Sequence, residues 1–370
     1  MAGVVALVKI ALGVGVLLLL AITADTVPAA PWVWVLCCLL GMLVGYTVAA
    51  AGTPPPARHP VVRSWYIGGT AVGQGFICWT ASAYLGGALN LGRTTVLLMA
   101  CGLLVACTFM AYRGWGSSAI FRQARLGATL AVALGWLCWP TALHASAAVL
   151  GPGPGTVGAV FLVLISAVGW ESTREALSAA GSGGPGWRTA GQLVTAGVVV
   201  LVSTAGFTAL RLTRTEPIGG GSPPLRVGLS VLLFVLAGCY CMTNVRFAGR
   251  LLDQSRADPE RSSERMRSGT CWVAGVAVLV MVLALLTGSG TWQLLLGPGS
   301  MTWAIFLLYS TRVLLQPKSP LSARCTGAAA LVLLACVAAP VWPALLFPVL
   351  TGGLAIVLPR RKWSVADRAI

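Results

Sequence analysis

Charge is what this sequence has least of. Only 9% of its 370 residues are charged, whereas 57% are hydrophobic and the mean hydropathy is +0.86. A soluble domain carries about 25% charged residues, so lipid must be the solvent for most of this surface. The apolar runs are continuous, and they reach the roughly 20 residues that a helix needs to cross the hydrocarbon. The predicted fold class is therefore all-α, a polytopic transmembrane helix bundle.

Catalytic chemistry is also poorly supplied. His59 and His144 are the only histidines, and the patterns G-x-x-x-x-G-K-[ST], H-E-x-x-H and G-x-S-x-G are absent. The 11 cysteines lie mostly inside apolar runs, where thiols behave as small hydrophobes, and no CxxC pair with metal-ligand spacing occurs. We therefore expect no enzymatic activity, no cofactor and no metal site.

The apolar runs predict about 11–12 spans in one transmembrane domain, 1–370. Their bounds are about 4–22, 31–51, 65–88, 94–112, 126–149, 156–170, 189–210, 227–245, 270–288, 292–314, 325–340 and 342–358. Gly151 to Gly155 and Gly297 to Gly299, both Gly-Pro-Gly sequences, predict tight turns or frayed helix ends. Residues 325–358 fit either one long tilted helix or a hairpin broken at Pro340 and Pro343.

The loop charges orient the bundle. Lysine and arginine accumulate in cytoplasmic loops, and with these spans twenty of the 25 fall on one side, four on the other, and Lys9 inside the first span. We predict that the N- and C-termini and the main loops 171–188 and 246–269 are cytoplasmic. The segment from Arg211 to Arg226 is discordant, and the sequence offers no reason for it. Because four acids interleave with six arginines in 246–269, we expect no nucleic-acid partner.

Two neutral polar residues stand out among the spans. Gln74 is central in the third span, Asn244 lies near the inner end of the eighth, and no carboxylate is predicted near a helix centre. A proton- or sodium-coupled pump built on buried acids is thus not indicated. The favoured interpretation is that Gln74 and Asn244 join helices by interhelical hydrogen bonds. The alternative is a neutral pore that hydrogen-bonds an uncharged solute.

The segment from Pro54 through Tyr66, PPPARHPVVRSWY, carries a family resemblance. A proline run, an Ala-Arg, another proline, then an arginine and aromatics opening the third helix resembles the alphaherpesvirus multipass membrane proteins called UL-forty-three. The local likeness covers about the first 90 residues, and beyond them the architecture is similar. Some members carry a long Pro/Arg-rich insert in the middle of the chain, where residues 171–188 are short here.

The resemblance implies a non-enzymatic protein of the virion envelope and host internal membranes. It also implies contact with the lipid bilayer and viral envelope glycoproteins, and modulation of glycoprotein-mediated membrane fusion or of envelope maturation. The family's bundle is similar in outline to equilibrative nucleoside transporters, a fold-level analogy only. The alternative function is a facilitative transporter of a neutral solute such as a nucleoside, and a bacterial permease-like protein is a third. The oligomeric state is left open by the sequence.

Overall fold

A computed structural model describes residues 2–11, 14–27, 29–51, 60–115, 119–138, 153–168, 170–182, 186–213, 223–253, 262–286 and 291–357. The described α-helices are α1 (Ala2–Ala11), α2 (Val14–Thr26), α3 (Ala30–Ala51), α4 (Pro60–Ala88), α5 (Arg93–Tyr112), α6 (Ala119–Cys138), α7 (Thr156–Val163), α8 (Thr173–Ala179), α9 (Gly186–Thr213), α10 (Pro223–Asp253), α11 (Ser262–Leu286), α12 (Leu296–Leu315), α13 (Leu321–Ala338) and α14 (Leu346–Val357). Short 3₁₀ segments cover Leu164–Ala167, Trp170–Ser172, Thr291–Leu295 and Ala339–Leu345. Within the described residues all regular structure is helical, which confirms the predicted fold class.

The outward faces of the long helices are apolar. Six helical segments are long and apolar enough to cross a membrane, namely Ala30–Ala51, Arg93–Tyr112, Gly186–Thr213, Pro223–Gly249, Thr291–Leu315 and Leu321–Gly353. On α9, Val194, Val198 and Val202 recur every four residues, and each is about half exposed or more. An unbroken row of exposed valines suits lipid and not water. The chain is an integral, multi-pass membrane protein.

Helix α4 lies at the centre of the bundle. Residues 73–86 are all buried, and α4 contacts α5, α10, α11, α12 and α14. A second group forms around α3, which contacts α7, α9 and α13, and α12 contacts both α3 and α4. Small residues allow the close approaches, since a Cβ added at Gly41 of α3 would lie 2.9 Å from the indole of Trp170.

Hydrogen bonds between distant segments define two opposite ends of the bundle. The Arg246 end is joined by Arg246 Nη1 to Gly114 O (2.9 Å), Arg125 Nη1 to Thr243 Oγ1 (2.7 Å), Tyr46 to Ser322 (3.1 Å) and Trp65 Nε1 to Pro348 O (2.9 Å). The Asp25 end is joined by bonds from Tyr84 and Arg211 to Asp25 and from Trp292 to Thr26. The segments meeting at each end are those that the loop charges predict on one common side. The sidedness itself remains a prediction.

Several helices are interrupted. The region predicted as a span over 156–170 is helical only to Val163, tightens to 3₁₀ and reaches an extended residue at Val168. Within the predicted span 4–22 the described residues belong to α1 and α2, and residues 12–13 lie outside the described part of the chain. A break like that after Val163 is tolerated in a membrane only where protein or a water-filled cavity surrounds it.

The Gly-Pro-Gly sequence at 297–299 does not form a turn. It lies in the first turn of α12, where the missing N–H of Pro298 breaks no helical hydrogen bond. Gly299 is required there by packing, because a Cβ would lie 2.6 Å from the carbonyl oxygen of Phe161. Of the two expectations the tight turn was wrong, because the sequence begins a helix, where Gly299 serves a helix–helix approach.

The C-terminal segment bends instead of running straight. Ala339–Leu345 is 3₁₀ with a non-helical Val341, and Pro343 lies within it. Both ends of the segment 321–353 lie at the Arg246 end, through Ser322 and Pro348. Of the two alternatives for 325–358, the structure has the broken one. Outside the described residues lie His59, His144, residues 151–152 of the first predicted Gly-Pro-Gly turn, and the C-terminal residues from 358.

Candidate functional site

Gln74 is buried in the middle of α4. Its side chain is 2% exposed, and its amide nitrogen donates to the carbonyl oxygen of Thr70 one turn earlier, at 3.1 Å. Its amide oxygen Oε1 is buried and has no hydrogen-bond partner. The interhelical bond favoured from the sequence is therefore not made by Gln74, because its one bond stays within its own helix.

Helices α4, α10, α11 and α12 meet at the level of Gln74. A Cβ added at Gly75 would lie 3.2 Å from the carbonyl oxygen of Ala277 in α11, and one at Gly73 would lie 3.9 Å from the ring of Pro298 in α12. One turn after Gln74, the thiol of Cys78 lies 3.8 Å from that of Cys241 in α10. The unpaired oxygen of Gln74 is thus deep inside the bundle and not at a lipid face.

Asn244 lies near Gln74 in level but is not bonded to it. Helix α10 runs parallel to α5, since Gly238 packs against Leu103 and Arg246 bonds Gly114, and α5 follows α4 through a short turn. Residues just after Cys241 therefore lie level with Gln74. The half-buried side chain of Asn244 contacts the phenol of Tyr240 in its own helix. The two predicted residues lie on neighbouring helices, and no described bond joins them.

Other unpaired polar atoms continue the polar surface of α4. Gln74, Cys78 and Ser82 are spaced at i, i+4 and i+8, so they share one face of the helix, which we call the α4 stripe. The hydroxyl of Ser82 is buried without a partner. Buried polar groups are paired in the great majority of structures, so this face has hydrogen-bonding capacity that the protein itself leaves unused.

The bundle interior also holds bonded polar groups beside an interruption. The indole of Trp79, one residue from the α4 stripe, donates to Thr291 Oγ1 at 2.9 Å. Thr291 begins the buried 3₁₀ segment that leads into α12. Among the described residues, no group of three or more His, Cys, Asp or Glu is placed to hold a metal ion.

A buried ion pair at the Asp25 end was not predicted from the sequence. Arg211 Nη2 lies 3.2 Å from Asp25 Oδ1, and the phenol of Tyr84 donates to Asp25 Oδ2 at 2.9 Å. The guanidinium of Arg211 lies 5.8 Å from the ring centroid of Trp136, and Trp136 meets Tyr84 and Phe207 edge-to-face. We call these five residues the Asp25 cluster. They bring together α2, α4, α6 and α9.

Two sequence signals point to this cluster. Asp25 is the only acidic residue among the first 170. Arg211 belongs to the segment whose charge violates the predicted orientation. Asp25 and Arg211 are both predicted on the side of the membrane that has few lysines and arginines. They are candidates for an ion pair, because burying either charge alone costs free energy.

No protein-family profile matches the chain, and no curated protein matches it. Two solved structures have a similar arrangement. The first is Mhp1, a nucleobase-cation-symport-1 family transporter in a closed conformation with bromovinylhydantoin bound, at 14% identity and TM-score 0.44, covering 97% of this chain and 90% of the other. The second is a mutant manganese transporter of Eremococcus coleocola, at 12% identity and TM-score 0.48, covering 96% and 92%. No functional conclusion follows from likeness at this level.

Proposed function

We propose that this membrane protein is a facilitative transporter of a small uncharged polar solute, with Gln74 in its binding site. One observation carries the proposal. Gln74 Oε1 is a strong hydrogen-bond acceptor, lies in the interior where four helices meet, and has no partner. A hydrogen-bond donor on a solute, or a water molecule on the solute's path, would give this oxygen a partner.

A purely structural role explains this acceptor less well. A glutamine that joins helices gains stability from a bond to another helix, whereas the one bond of Gln74 is to Thr70 in α4. Leaving a buried polar group unsatisfied costs about 1–3 kcal/mol. An apolar residue of the same size would avoid that cost, so the glutamine needs another reason.

The surroundings favour an uncharged solute. Arg63 is the single charged residue in Pro60–Ala88, and Arg312 is the single one in Leu296–Leu315. Neither is within a turn of the level of Gln74 and Pro298. Arg125 and Arg246 approach this level from α6 and α10, but their guanidinium groups are engaged by Thr243 and Gly114. Because no described carboxylate lies at this level and both guanidinium groups are engaged, a charged solute would lose its hydration without gaining a free counter-ion.

The second proposal follows from the resemblance to the UL-forty-three family. It is a non-enzymatic role in the virion envelope and host internal membranes, modulating glycoprotein-mediated fusion through protein and lipid contacts. Its sequence basis is Pro54–Tyr66, of which 60–66 begin α4 and the rest lies outside the described residues. Trp65 of this segment ties α4 to α14 through Pro348, so the segment builds the Arg246 end of the bundle.

Uptake by purified protein in liposomes tests the first proposal. A panel of radiolabelled neutral solutes, nucleosides and nucleobases included, is compared between wild type, Gln74→Leu and the matched control Gln293→Leu, whose glutamine is exposed. We expect saturable uptake that falls about tenfold in Gln74→Leu, since a lost hydrogen bond of about 1.4 kcal/mol is tenfold in affinity. The control should transport like wild type.

The stability of Gln74→Leu separates binding from structure. Because the substitution removes an unsatisfied buried group, its melting temperature should match or exceed that of the wild type. Absence of saturable uptake by the wild type for every solute would contradict the transporter proposal. Inhibition of cell–cell fusion by wild type and Gln74→Leu alike, with no uptake, would support the second proposal.

A further inference from the structure

We propose that the Asp25 cluster is the gate that closes the solute path between Gln74 and the Asp25 end of the bundle. This inference rests on the proposed transport function and names a device that would regulate access to its site. In this proposal the Asp25–Arg211 ion pair holds the gate closed, and the rings of Tyr84 and Trp136 block the path.

The position of the cluster suits a gate. Tyr84 lies ten residues after Gln74 on α4, which is about 15 Å along the helix axis. Around the helix axis the two residues lie about 80° apart, on adjacent faces of α4. Tyr84 and Trp136 are 0% and 1% exposed, so the two rings seal the interior at this level.

The Asp25 cluster joins four separate helices through polar contacts. Asp25 lies in the last turn of α2 and accepts from Tyr84 of α4 and Arg211 of α9, while Trp136 of α6 packs under the guanidinium. Moving α2 or α9 outward would break the ion pair and uncover the rings in one step. Contacts that break together in one movement have two discrete arrangements, closed and open.

The closed arrangement is held only weakly. Burying an ion pair removes both charges from water, and the attraction repays little more than that desolvation. Arg211 and Asp25 retain 14% and 9% side-chain exposure, so water reaches them after a small movement. In addition, the Nε of Arg211 and the indole nitrogen of Trp136 are buried donors without an acceptor. Opening would hydrate all of these groups, which lowers the free energy of the open state.

Thiol accessibility provides the test. Cys78 is 0% exposed and lies six residues before Tyr84 on α4. In a variant that keeps Cys78 as its single cysteine, an impermeant charged methanethiosulfonate is applied in liposomes to the Asp25 side. We expect slow labelling in the otherwise wild-type protein and at least fivefold faster labelling in Asp25→Asn and Arg211→Gln. The matched control is Arg188→Gln, an exposed arginine at the other end of α9, which should label at the wild-type rate.

Hydrogen exchange of the full-cysteine protein is a second measurement that needs no cysteine replacement. Peptides from the ends of α2 and α9 should exchange faster in Asp25→Asn than in Arg188→Gln. Unchanged labelling together with unchanged exchange would overturn the gate and leave a static contact. Faster labelling in Asp25→Asn, with no saturable uptake by the wild type, would retain the gate and contradict the transport proposal instead.

Discussion

The two arginines of α9 have opposite surroundings. Arg188 is exposed in the first turn, with its guanidinium 5.2 Å from the ring centroid of Trp187, itself 72% exposed. Arg211 is in the last turn, mostly buried and paired with Asp25. The same residue type is thus solvated at the Arg246 end and locked in a network at the Asp25 end. The difference shows that Arg211, which lies on the side with few basic residues, is held there by its ion pair with Asp25.

Two other arginines of the Arg246 end, Arg125 and Arg246, are half-buried and bond neutral acceptors. Arg246 donates to a main-chain carbonyl at Gly114, and Arg125 donates to the hydroxyl of Thr243 and lies over the ring of Tyr240. Such neutral acceptors tie loops to helix ends without needing a carboxylate. The ion pair between Arg211 and Asp25 lies at the opposite end.

The sharpest way to break this comparison is to measure which end faces the cytoplasm. In a background whose 11 native cysteines are replaced, Lys318→Cys at the Arg246 end and Asn90→Cys near the Asp25 end place single exposed thiols in described turns. Because the Arg246 end carries most of the arginines, we expect an impermeant maleimide to label position 90 in intact cells and position 318 only after permeabilisation. Labelling of position 318 from outside would invert the assignment of both ends.

A double-mutant cycle at the ion pair should give the next largest effect. Either Asp25→Asn or Arg211→Gln leaves one charge uncompensated, so each should destabilise the fold by about 3 kcal/mol, the lower end of the range for fully buried pairs. The double variant leaves no charge and should lie within about 1 kcal/mol of the wild type. Unfolding in a graded detergent titration measures all four proteins. Additive losses would mean that Asp25 and Arg211 act separately.

Tyr84→Phe removes one hydrogen bond to Asp25 and keeps the ring. A hydrogen bond to a charged group contributes about 1.5 kcal/mol at the low end, and we expect this loss in the same titration. In the Asp25→Asn background the loss should shrink to about 0.5 kcal/mol, because the acceptor is then neutral. An unchanged loss in that background would show that the phenol stabilises the fold through other contacts.

Periodicity and hydropathy predict the local part of the fold and not the contacts between distant segments. Length and apolar content are local properties, and they predict a helical bundle. They do not predict that α4 lies at its centre. Near the break after Val163, Gly299 of α12 closely approaches the carbonyl oxygen of Phe161 in α7. That contact joins segments far apart in the chain, and no local pattern contains it.

The candidate site was predictable in part for the same reason. Gln74 stands out because a polar residue in an apolar run is a local signal. The lack of a hydrogen-bond partner for Gln74 is not a local signal, since the sequence does not say which helix faces this side chain. Asp25 was overlooked because it lies at a helix end, where a carboxylate is unremarkable until Arg211 is known to be beside it.

The smallest expected effect comes from the opposite end of the same helix. Arg188→Gln removes a guanidinium from the exposed face of Trp187, an interaction of about 0.5 kcal/mol at exposed sites. Arg188 also lies in the first turn of α9, where the helix dipole disfavours a positive charge by about 0.3–1 kcal/mol. The two contributions oppose each other, so stability should change by less than about 0.5 kcal/mol in the detergent titration. Arg211 lies in the last turn, where the dipole favours its charge, so its loss has no such compensation. A loss at Arg188 equal to that at Arg211 would show that arginines contribute alike at both ends, and the comparison would fail.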